Sequence, residues 1–253
     1  MKTIKAAVFG AGSMARLHAK NALMEEVEIV GVCSRSRAST SDFDKAIGVS
    51  VPYYSNCAEM LDETKPDALF VCVPPFAHNG EVETAAEKGV HLFLEKPLSL
   101  SLERSASMCT AAEKNKVITQ VDFHHRFHPL VQRLKLELKN KKAGRPLLMQ
   151  ARFFCNSLHS QWWRDNKLSG GQLFEQAIHV FDLVLYLLGP IREVRGFQSN
   201  LCHQDIRDYT VEDTSVVSLL AESGAMASLA ASNCAVPGRW ELALHLICEK
   251  LTA

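Results

Sequence analysis

The stretch TIKAAVFGAGSMA, residues 3–15, decides the architecture of the N-terminal half of this chain. An apolar run at 6–9 leads directly into GAGSMA at 10–15, which fits the pattern G-x-G-x-x-G/A. In this pattern the first glycine permits a tight turn, the second lets backbone approach a pyrophosphate, and the small third residue lets the next helix pack on the strand. Free N–H groups at the helix N-terminus favour an anion. A plain strand–helix turn is the alternative, but the context favours a phosphate-binding turn built from Gly10, Gly12, Ser13 and Met14.

Apolar strand-like runs and amphipathic helical segments alternate on both sides of this turn. The predicted strands are 3–9, 27–33, 51–54, 68–73, 90–94 and 117–123, and the predicted helices between them are 13–24, 42–47, 57–62, 76–88 and 102–114. Strands that alternate with helices at this spacing indicate a doubly wound parallel sheet. We therefore predict an α/β protein in which residues 1–122 form an N-terminal Rossmann domain.

Residues 123–253 have a different order of predicted helices and strands. Predicted helices at 129–139 and 172–188 flank a strand at 147–154, and four strand candidates then follow without helices between them, at 192–200, 213–220, 225–232 and 240–247. Short connections between neighbouring strands indicate an antiparallel or mixed sheet. We predict an α+β domain with a mostly antiparallel open sheet. The chain stops just after a strand candidate, so we expect this domain to be incomplete at its C-terminus.

Composition limits the range of partners. Lysine plus arginine and aspartate plus glutamate number 28 each, so no global field favours nucleic acid or an acidic membrane. The eight cysteines contain no CxxC pair, which favours free thiols in a reducing compartment over a disulfide framework. No run approaches the roughly 20 apolar residues that a membrane span needs. We expect a cytoplasmic protein whose partner is a small molecule.

The segment that follows the second strand indicates which dinucleotide binds. An NAD site places a carboxylate here for the ribose hydroxyls, whereas an NADP site needs cations for the 2′-phosphate. This chain reads CSRSR at 33–37, with no acid at the expected place. Arg35 and Arg37 are candidates to contact the phosphate, with Ser34 as a hydrogen-bonding neighbour. We predict NADP, with NAD possible; an ordinary solvated basic loop is the alternative.

Glu95-Lys96-Pro97, after the fifth strand, resembles the glucose–fructose oxidoreductase and inositol dehydrogenase (Gfo/Idh/MocA) family. Further matches follow in order along the chain: GAG at 10–12 with His18, VPP at 73–75 with His78, GVH at 89–91, Phe123 to Pro129 with Arg126, and GGQL at 170–173 with Glu175, His179 and Asp182. The resemblance implies a Rossmann domain followed by an α/β domain whose open sheet often forms an oligomer interface. A homo-oligomer through that sheet is therefore expected, provided that the sheet is complete enough.

The resemblance also implies roles for individual residues. Lys96 is expected to hold or protonate the substrate oxygen, while Glu95 lies near the cofactor ribose. Pro74, His78 and Arg126 are expected at the cofactor. Lys96 follows the carboxyl end of a parallel strand, where open α/β sheets place their ligands, and hydride transfer from a carbinol needs a group that manages the hydroxyl proton.

Glu175 and His179 are four residues apart on a predicted helix and so would share one face. The family commonly has aspartate and histidine at these positions, so glutamate here puts the dehydrogenase geometry in question. We predict Glu175 and His179 as catalytic residues, with His179 relaying a proton or orienting the substrate; a hydrogen-bonded structural histidine is the alternative. Asp182 is interpreted as a helix-face acid rather than an orienting partner.

Two further features leave alternatives open. The H-H-x-x-H cluster of His124, His125 and His128 lacks accompanying cysteine or carboxylate ligands, so we predict no metal site there. The aromatic pair at 162–163 is either part of a substrate wall or part of the core.

The sequence as a whole predicts an NADP-preferring oxidoreductase that acts on a sugar, a polyol, or a cyclic diol or carbonyl substrate. A non-catalytic dinucleotide-binding sensor or regulatory protein of the same fold is the alternative.

Overall fold

The computed structural model describes residues 3–235 and 237–253. The chain divides between Asp122 and Phe123 into two compact units, each with its own sheet. None of the described helices is both long and apolar enough to cross a bilayer.

The N-terminal unit contains a six-stranded sheet with the strand order β3-β2-β1-β4-β5-β6, in which every pair of neighbours is parallel. Its elements are β1 Lys5–Phe9, α1 Ser13–Met24, β2 Glu28–Cys33, α2 Arg37–Ile47, β3 Tyr53–Tyr54, α3 Cys57–Thr64, β4 Ala68–Val71, α4 Glu81–Glu87, β5 His91–Leu94, α5 Leu102–Asn115 and β6 Thr119–Val121. The predicted doubly wound parallel sheet is confirmed.

Local chemistry explains where the helices of this unit begin. Asn56 caps α3, because its side-chain oxygen accepts a hydrogen bond from the Glu59 N–H at 3.1 Å. The helix predicted at 76–88 was too long, since α4 begins only at Glu81. Gly80 has a φ of 89°, a left-handed conformation that excludes it from a right-handed helix. The crossover after β4 therefore contains an irregular segment where the sequence pattern predicted helix.

The second unit contains a five-stranded sheet with the order β11-β7-β10-β9-β8, in which only β7 and β10 are parallel. Its elements are α6 Pro129–Lys139, β7 Pro146–Phe154, α7 Asn166–Ser169, α8 Gln172–Glu175, α9 Ile178–Leu188, β8 Ile191–Ser199, β9 Thr214–Ala221, β10 Met226–Ser232 and β11 Glu241–Cys248, with short 3₁₀ turns at His124–Phe127 and Gln161–Arg164. The predicted mostly antiparallel sheet is confirmed. Helix α9 packs on one face, where Leu183 shares a core with Met149 and Leu229.

The prediction of one continuous helix over 172–188 was wrong, because the chain forms α8 and α9 with a break at Gln176 and Ala177. The Ala177 N–H donates to the Gln172 carbonyl five residues back, at 2.9 Å, which is a π-type turn rather than an α-helical one. The Gln176 side chain is buried and its Nε2 lies 2.8 Å from Nε2 of His159. Burial of this amide holds the break in place, so residues 175 and 179 are not one turn apart on a regular helix.

Candidate active site

The glycine turn after β1 uses its two glycines for different purposes. Gly10 has a φ of 100°, and a Cβ built there would lie 2.3 Å from the Cys72 carbonyl oxygen. The close approach of β1 and β4 therefore requires glycine at this position. Gly12 precedes the first residue of α1, its residue type offers no side-chain cap, and a Cβ built there would meet no atom of the described residues within 4 Å. The space in front of the α1 amide groups is thus open, as an anion-binding helix N-terminus requires.

A crevice of about 730 Å³ opens at this turn, along the carboxyl ends of the parallel strands. Five of the predicted cofactor residues line it: Gly10, Gly12, Ser34, Arg35 and Pro74. Ser13 and Met14 form the exposed first turn of α1. The crevice is also lined by Arg16, whose Nε donates to the Ala11 carbonyl oxygen at 3.3 Å. Sequence reasoning missed Arg16, although a cation one turn after a phosphate-binding glycine is a detectable signal.

The segment after β2 presents hydroxyl groups and a guanidinium to the crevice. The Ser34 hydroxyl donates to the Ser36 carbonyl oxygen at 2.9 Å and lies 3.1 Å from the Ser39 hydroxyl. Arg35 is exposed at the rim, whereas Arg37 begins α2 and is exposed outside the crevice lining. Burial and the Glu81 carboxylate raise the pKa of the Cys33 thiol to about 11, so this thiol is uncharged at neutral pH.

His78, predicted at the cofactor, forms a pair with the Glu81 carboxylate. Its side chain is 4% exposed, and its Nδ1 contacts Oε1 of Glu81 while the Asn79 N–H donates to Oε2 at 2.7 Å. Burial raises the pKa of Glu81, but the hydrogen bonds from His78 and Asn79 outweigh it and hold this pKa below its usual value. Glu81, rather than His78, lines the crevice.

Glu95 follows β5 as a buried carboxylate whose two oxygens both have partners. Oε1 lies 2.7 Å from Nε2 of His18 on α1, and Oε2 accepts the Lys96 N–H at 3.2 Å. Nε2 of His18 also lies 3.6 Å from the Asp122 carboxylate at the end of β6. His18 and the Lys96 N–H thus orient the two oxygens of the Glu95 carboxylate, and Asp122 lies beside His18. Lys96 comes next in the chain, and its side chain is half-buried.

In the second unit His179 lies in a group of aromatic rings near the start of α9. Its imidazole is 6% exposed, with ring centroids 4.6 Å from His124 and 5.0 Å from His125. The nitrogen ligand atoms of these three histidines lie within 4.8 Å of one another. His128, the third histidine of the H-H-x-x-H motif, caps α6 by accepting the Leu130 N–H at 3.3 Å. The fold instead brings His179 to the other two.

Arg126 and Asp182 form a bidentate ion pair, so the interpretation of Asp182 as a helix-face acid was wrong. The guanidinium donates to the two carboxylate oxygens at 2.7 and 2.5 Å, and the Asp182 side chain is 5% exposed. The hydrogen bond that the guanidinium donates to Asp182 is the main cause that raises the pKa of Arg126. Arg126 also lies over the ring of Tyr186, 4.9 Å from its centroid. This pair connects the 3₁₀ turn that carries the histidines to α9.

Glu175 ends α8 and accepts a hydrogen bond from the indole N–H of Trp163 at 2.8 Å. Trp163 is 2% exposed and packs in a small core with Tyr209 and Val211. The aromatic pair at 162–163 could have formed a substrate wall or part of the core. Trp163 belongs to the core, while Trp162 lines a separate surface cavity.

Comparison with known proteins accounts for both units. Residues 4–123 match the oxidoreductase family with an NAD-binding Rossmann fold, and residues 131–253 match the GFO/IDH/MocA C-terminal domain. The myo-inositol 2-dehydrogenase of Thermotoga maritima is 30% identical over 233 residues, which cover 91% of this chain and 69% of that protein. The glucose-6-phosphate 3-dehydrogenase of Bacillus subtilis is 27% identical over 257 residues, covering 97% of this chain and 72% of that protein.

The solved structure of a probable dehydrogenase from Thermotoga maritima superposes with a TM-score of 0.88 at 26% identity, covering 99% of this chain and 74% of that one. The matched regions include the glycine turn and the Glu95-Lys96-Pro97 motif in the first unit and the whole sheet of the second. The chain therefore belongs to the GFO/IDH/MocA family and is an oxidoreductase with a nicotinamide-dinucleotide-binding Rossmann domain.

Proposed function

We propose that this protein transfers hydride between NADP and a secondary alcohol carbon of a sugar or cyclic polyol. The preference for NADP rests on the segment that follows β2. Arg35 in this segment lines the same crevice as the glycine turn, and no carboxylate follows the strand. A carboxylate at that position would bind the ribose hydroxyls of NAD and repel a 2′-phosphate. The proposed substrate class rests on two relatives, a myo-inositol 2-dehydrogenase and a glucose-6-phosphate 3-dehydrogenase, whose names indicate oxidation at a ring carbon.

The crevice fits a dinucleotide on two independent grounds. Its volume of about 730 Å³ suits a large ligand, and the missing Cβ of Gly12 leaves room for a diphosphate against the first amide groups of α1. When bound, the nicotinamide supplies the hydride acceptor for alcohol oxidation. Gly12, Ser13 and Met14 would hold the diphosphate through backbone N–H groups. Glu95, oriented by His18, would accept hydrogen bonds from ribose hydroxyls.

We assign to Lys96 the transfer of the substrate hydroxyl proton. It follows the carboxyl end of β5, the edge of a parallel sheet where ligands bind. Loss of hydride from a carbinol carbon leaves a developing carbonyl, so the hydroxyl must give up its proton to a nearby base. An amine at Lys96 accepts this proton in oxidation and returns it in reduction.

His179 is assigned a second role in proton transfer or substrate orientation, within its own unit. Its imidazole is held among the rings of Phe123, His124 and His125, so its orientation is fixed by packing. Glu175 is a weaker candidate, because one carboxylate oxygen already accepts the Trp163 indole N–H. This contact favours a role for Glu175 in positioning the α8–α9 break rather than in contacting substrate.

Replacing Arg35 with alanine is expected to weaken NADPH binding by roughly 10–150-fold, which corresponds to the loss of about 1.5–3 kcal/mol for a hydrogen bond to a charged group. NADH affinity should change little, because NADH lacks the 2′-phosphate. Fluorescence titration of both cofactors measures the two dissociation constants. Lys45→Ala, which removes a cation from the last turn of α2, is the matched control. Equal weakening of both cofactors would contradict the assignment of Arg35 to the phosphate.

The activity itself is tested by mixing the purified chain with NADP⁺ or NAD⁺ and a panel of inositols, aldoses and sugar phosphates. Absorbance of the reduced nicotinamide reports turnover. We expect oxidation of at least one ring polyol, with a higher kcat/KM for NADP⁺ than for NAD⁺. Tight cofactor binding with no turnover on any member of the panel would favour a sensor instead.

The open face of the second sheet is the surface that we propose for self-association. One row of residues crosses all five strands in register: Phe197, Val216, Ala230, Arg152 and Ala243. Phe197 is 88% exposed and Val216 is 53% exposed on this face, which is unusual for large apolar side chains. Light scattering of the wild type and of Phe197→Asp would measure whether this face holds a homo-oligomer together.

A further inference from the structure

Cys202, His203 and Cys234 form a cluster at one end of the second sheet, although Cys234, on the β10–β11 connection, follows His203 by 31 positions in the chain. The register explains how they meet. Ser199 of β8 and Ser232 of β10 both pair with Thr214 of β9, so the chain leaves the sheet on both strands at the same level. The two thiols and the imidazole follow within a few residues of these exits, and their ligand atoms all lie within 4.8 Å of one another.

We propose that these three residues bind a soft transition-metal ion of the Zn²⁺ type. Thiolate and imidazole are the ligands that Zn²⁺ prefers, and three protein ligands leave one tetrahedral position for water. A tetrahedral Zn²⁺ with bonds of about 2.3 Å to sulfur and about 2.0–2.1 Å to nitrogen separates its ligand atoms by roughly 3.5–3.8 Å. The ligand atoms lie within 4.8 Å of one another, so they would have to approach by about 1 Å at most to reach this geometry. On binding, each thiol releases its proton to solvent.

The backbone that carries Cys202 and His203 is already held in position. Asp213 is fully buried, and its carboxylate accepts the N–H groups of Leu201, Cys202 and His203 at 2.9, 2.7 and 2.9 Å. These bonds hold the loop over the end of β9. They also place a buried acidic side chain beside the cluster, which favours a cation there. Such anchoring reduces the conformational entropy that metal binding would otherwise have to overcome.

His203 has the outer hydrogen bond that metal-bound histidines commonly make. Its Nε2 lies 3.2 Å from the Asn233 carbonyl oxygen, so the Nε2–H donates to that carbonyl and Nδ1 is the nitrogen available to a metal. Asn233 is fully buried and precedes Cys234, so one segment supplies both a ligand and the group that orients another ligand. The β10–β11 connection and the loop after β8 would thereby be joined through the metal.

The test uses the full chain, reduced with a phosphine and then titrated with Co²⁺. Thiolate ligation produces a sulfur-to-cobalt charge-transfer band in the near ultraviolet, which a site made of histidines alone does not produce. We expect the wild type to show this band and Zn²⁺ to abolish it by displacement. Cys202→Ser and Cys234→Ser should each lose the band, while Cys109→Ser, which changes an exposed thiol on α5, should retain it.

Thermal unfolding provides a second readout. Zn²⁺ should raise the Tm of the wild type and of Cys109→Ser but not that of Cys202→Ser. Because Cys202 is exposed, its serine variant should fold even if Cys234→Ser does not. Absence of the charge-transfer band, or its survival in Cys202→Ser, would overturn the proposal. So would a reduced protein that binds no Co²⁺ but re-forms a Cys202–Cys234 disulfide in air, because the pair would then be a redox couple rather than a ligand set.

Discussion

Replacing Lys96 with alanine is expected to lower kcat by about 10²–10⁴-fold, the range in which a positioned acid or base contributes. The Rossmann fold should persist, because Lys96 lies after β5 and is only half-buried. Dinucleotide affinity should change far less than kcat, since the glycine turn and the β2 segment are untouched. Steady-state turnover on the best polyol and fluorescence titration with NADPH measure the two effects separately.

Two further variants distinguish proton transfer from a purely electrostatic role for Lys96. Lys96→Arg keeps the positive charge, but arginine stays protonated at any working pH and so cannot accept the hydroxyl proton. It should therefore remain nearly as impaired as the alanine variant. Lys114→Ala, in the last turn of α5, removes a lysine away from the strand ends and should be as active as the wild type. A fully active Lys96→Arg enzyme would show that charge alone suffices.

Substituting alanine at Gly10 is expected to lower the stability of the fold, whereas substituting alanine at Gly12 is expected to lower the affinity for the dinucleotide. At Gly10 the new Cβ would lie 2.3 Å from a backbone oxygen at a φ of 100°. Backbone strain of about 1–3 kcal/mol and overpacking of about 1–3 kcal/mol should together lower the free energy of unfolding by about 2–6 kcal/mol. At Gly12 the Cβ meets only open space, so stability should be close to that of the wild type.

Gly12→Ala should instead weaken dinucleotide binding. The methyl group would occupy the space through which a diphosphate reaches the amide groups of α1, with an expected loss of about 1.5–3 kcal/mol, or roughly 10–150-fold in Kd. Urea unfolding and NADPH titration of both variants give the four values needed. Unchanged affinity in a folded Gly12→Ala protein would mean that no diphosphate binds at this turn.

Most of the first unit could be predicted from the sequence because its rules are local. The pattern at 10–15 needs only its neighbouring strand and helix to be interpreted, and each parallel strand is marked by an apolar run. The limits of α4 could not be predicted, since a left-handed Gly80 and the side-chain contacts of Glu81 decide where that helix begins. Local pattern was sufficient for the type of each element but not for its ends.

The second unit shows where sequence reasoning stops. Residues 172–188 have the apolar periodicity of one helix, yet burial of the Gln176 amide against His159 interrupts it. Asp182 reads as an ordinary surface acid until the fold brings Arg126 beside it. In both cases the contacting residue lies 17 or more positions away in the chain, so the local sequence pattern does not predict the contact.

By itself the sequence determined the alternating α/β architecture, the glycine turn, the absence of an acid after β2 and the position of Lys96 at the end of a strand. The tertiary structure alone decided that His179 joins His124 and His125, that His18 orients Glu95, and that Cys202, His203 and Cys234 converge. The physical reason is that backbone conformation and amphipathic pattern depend on neighbours in the chain, whereas side-chain clusters depend on strand order and register. Those are settled only when the sheets assemble and their cores exclude water.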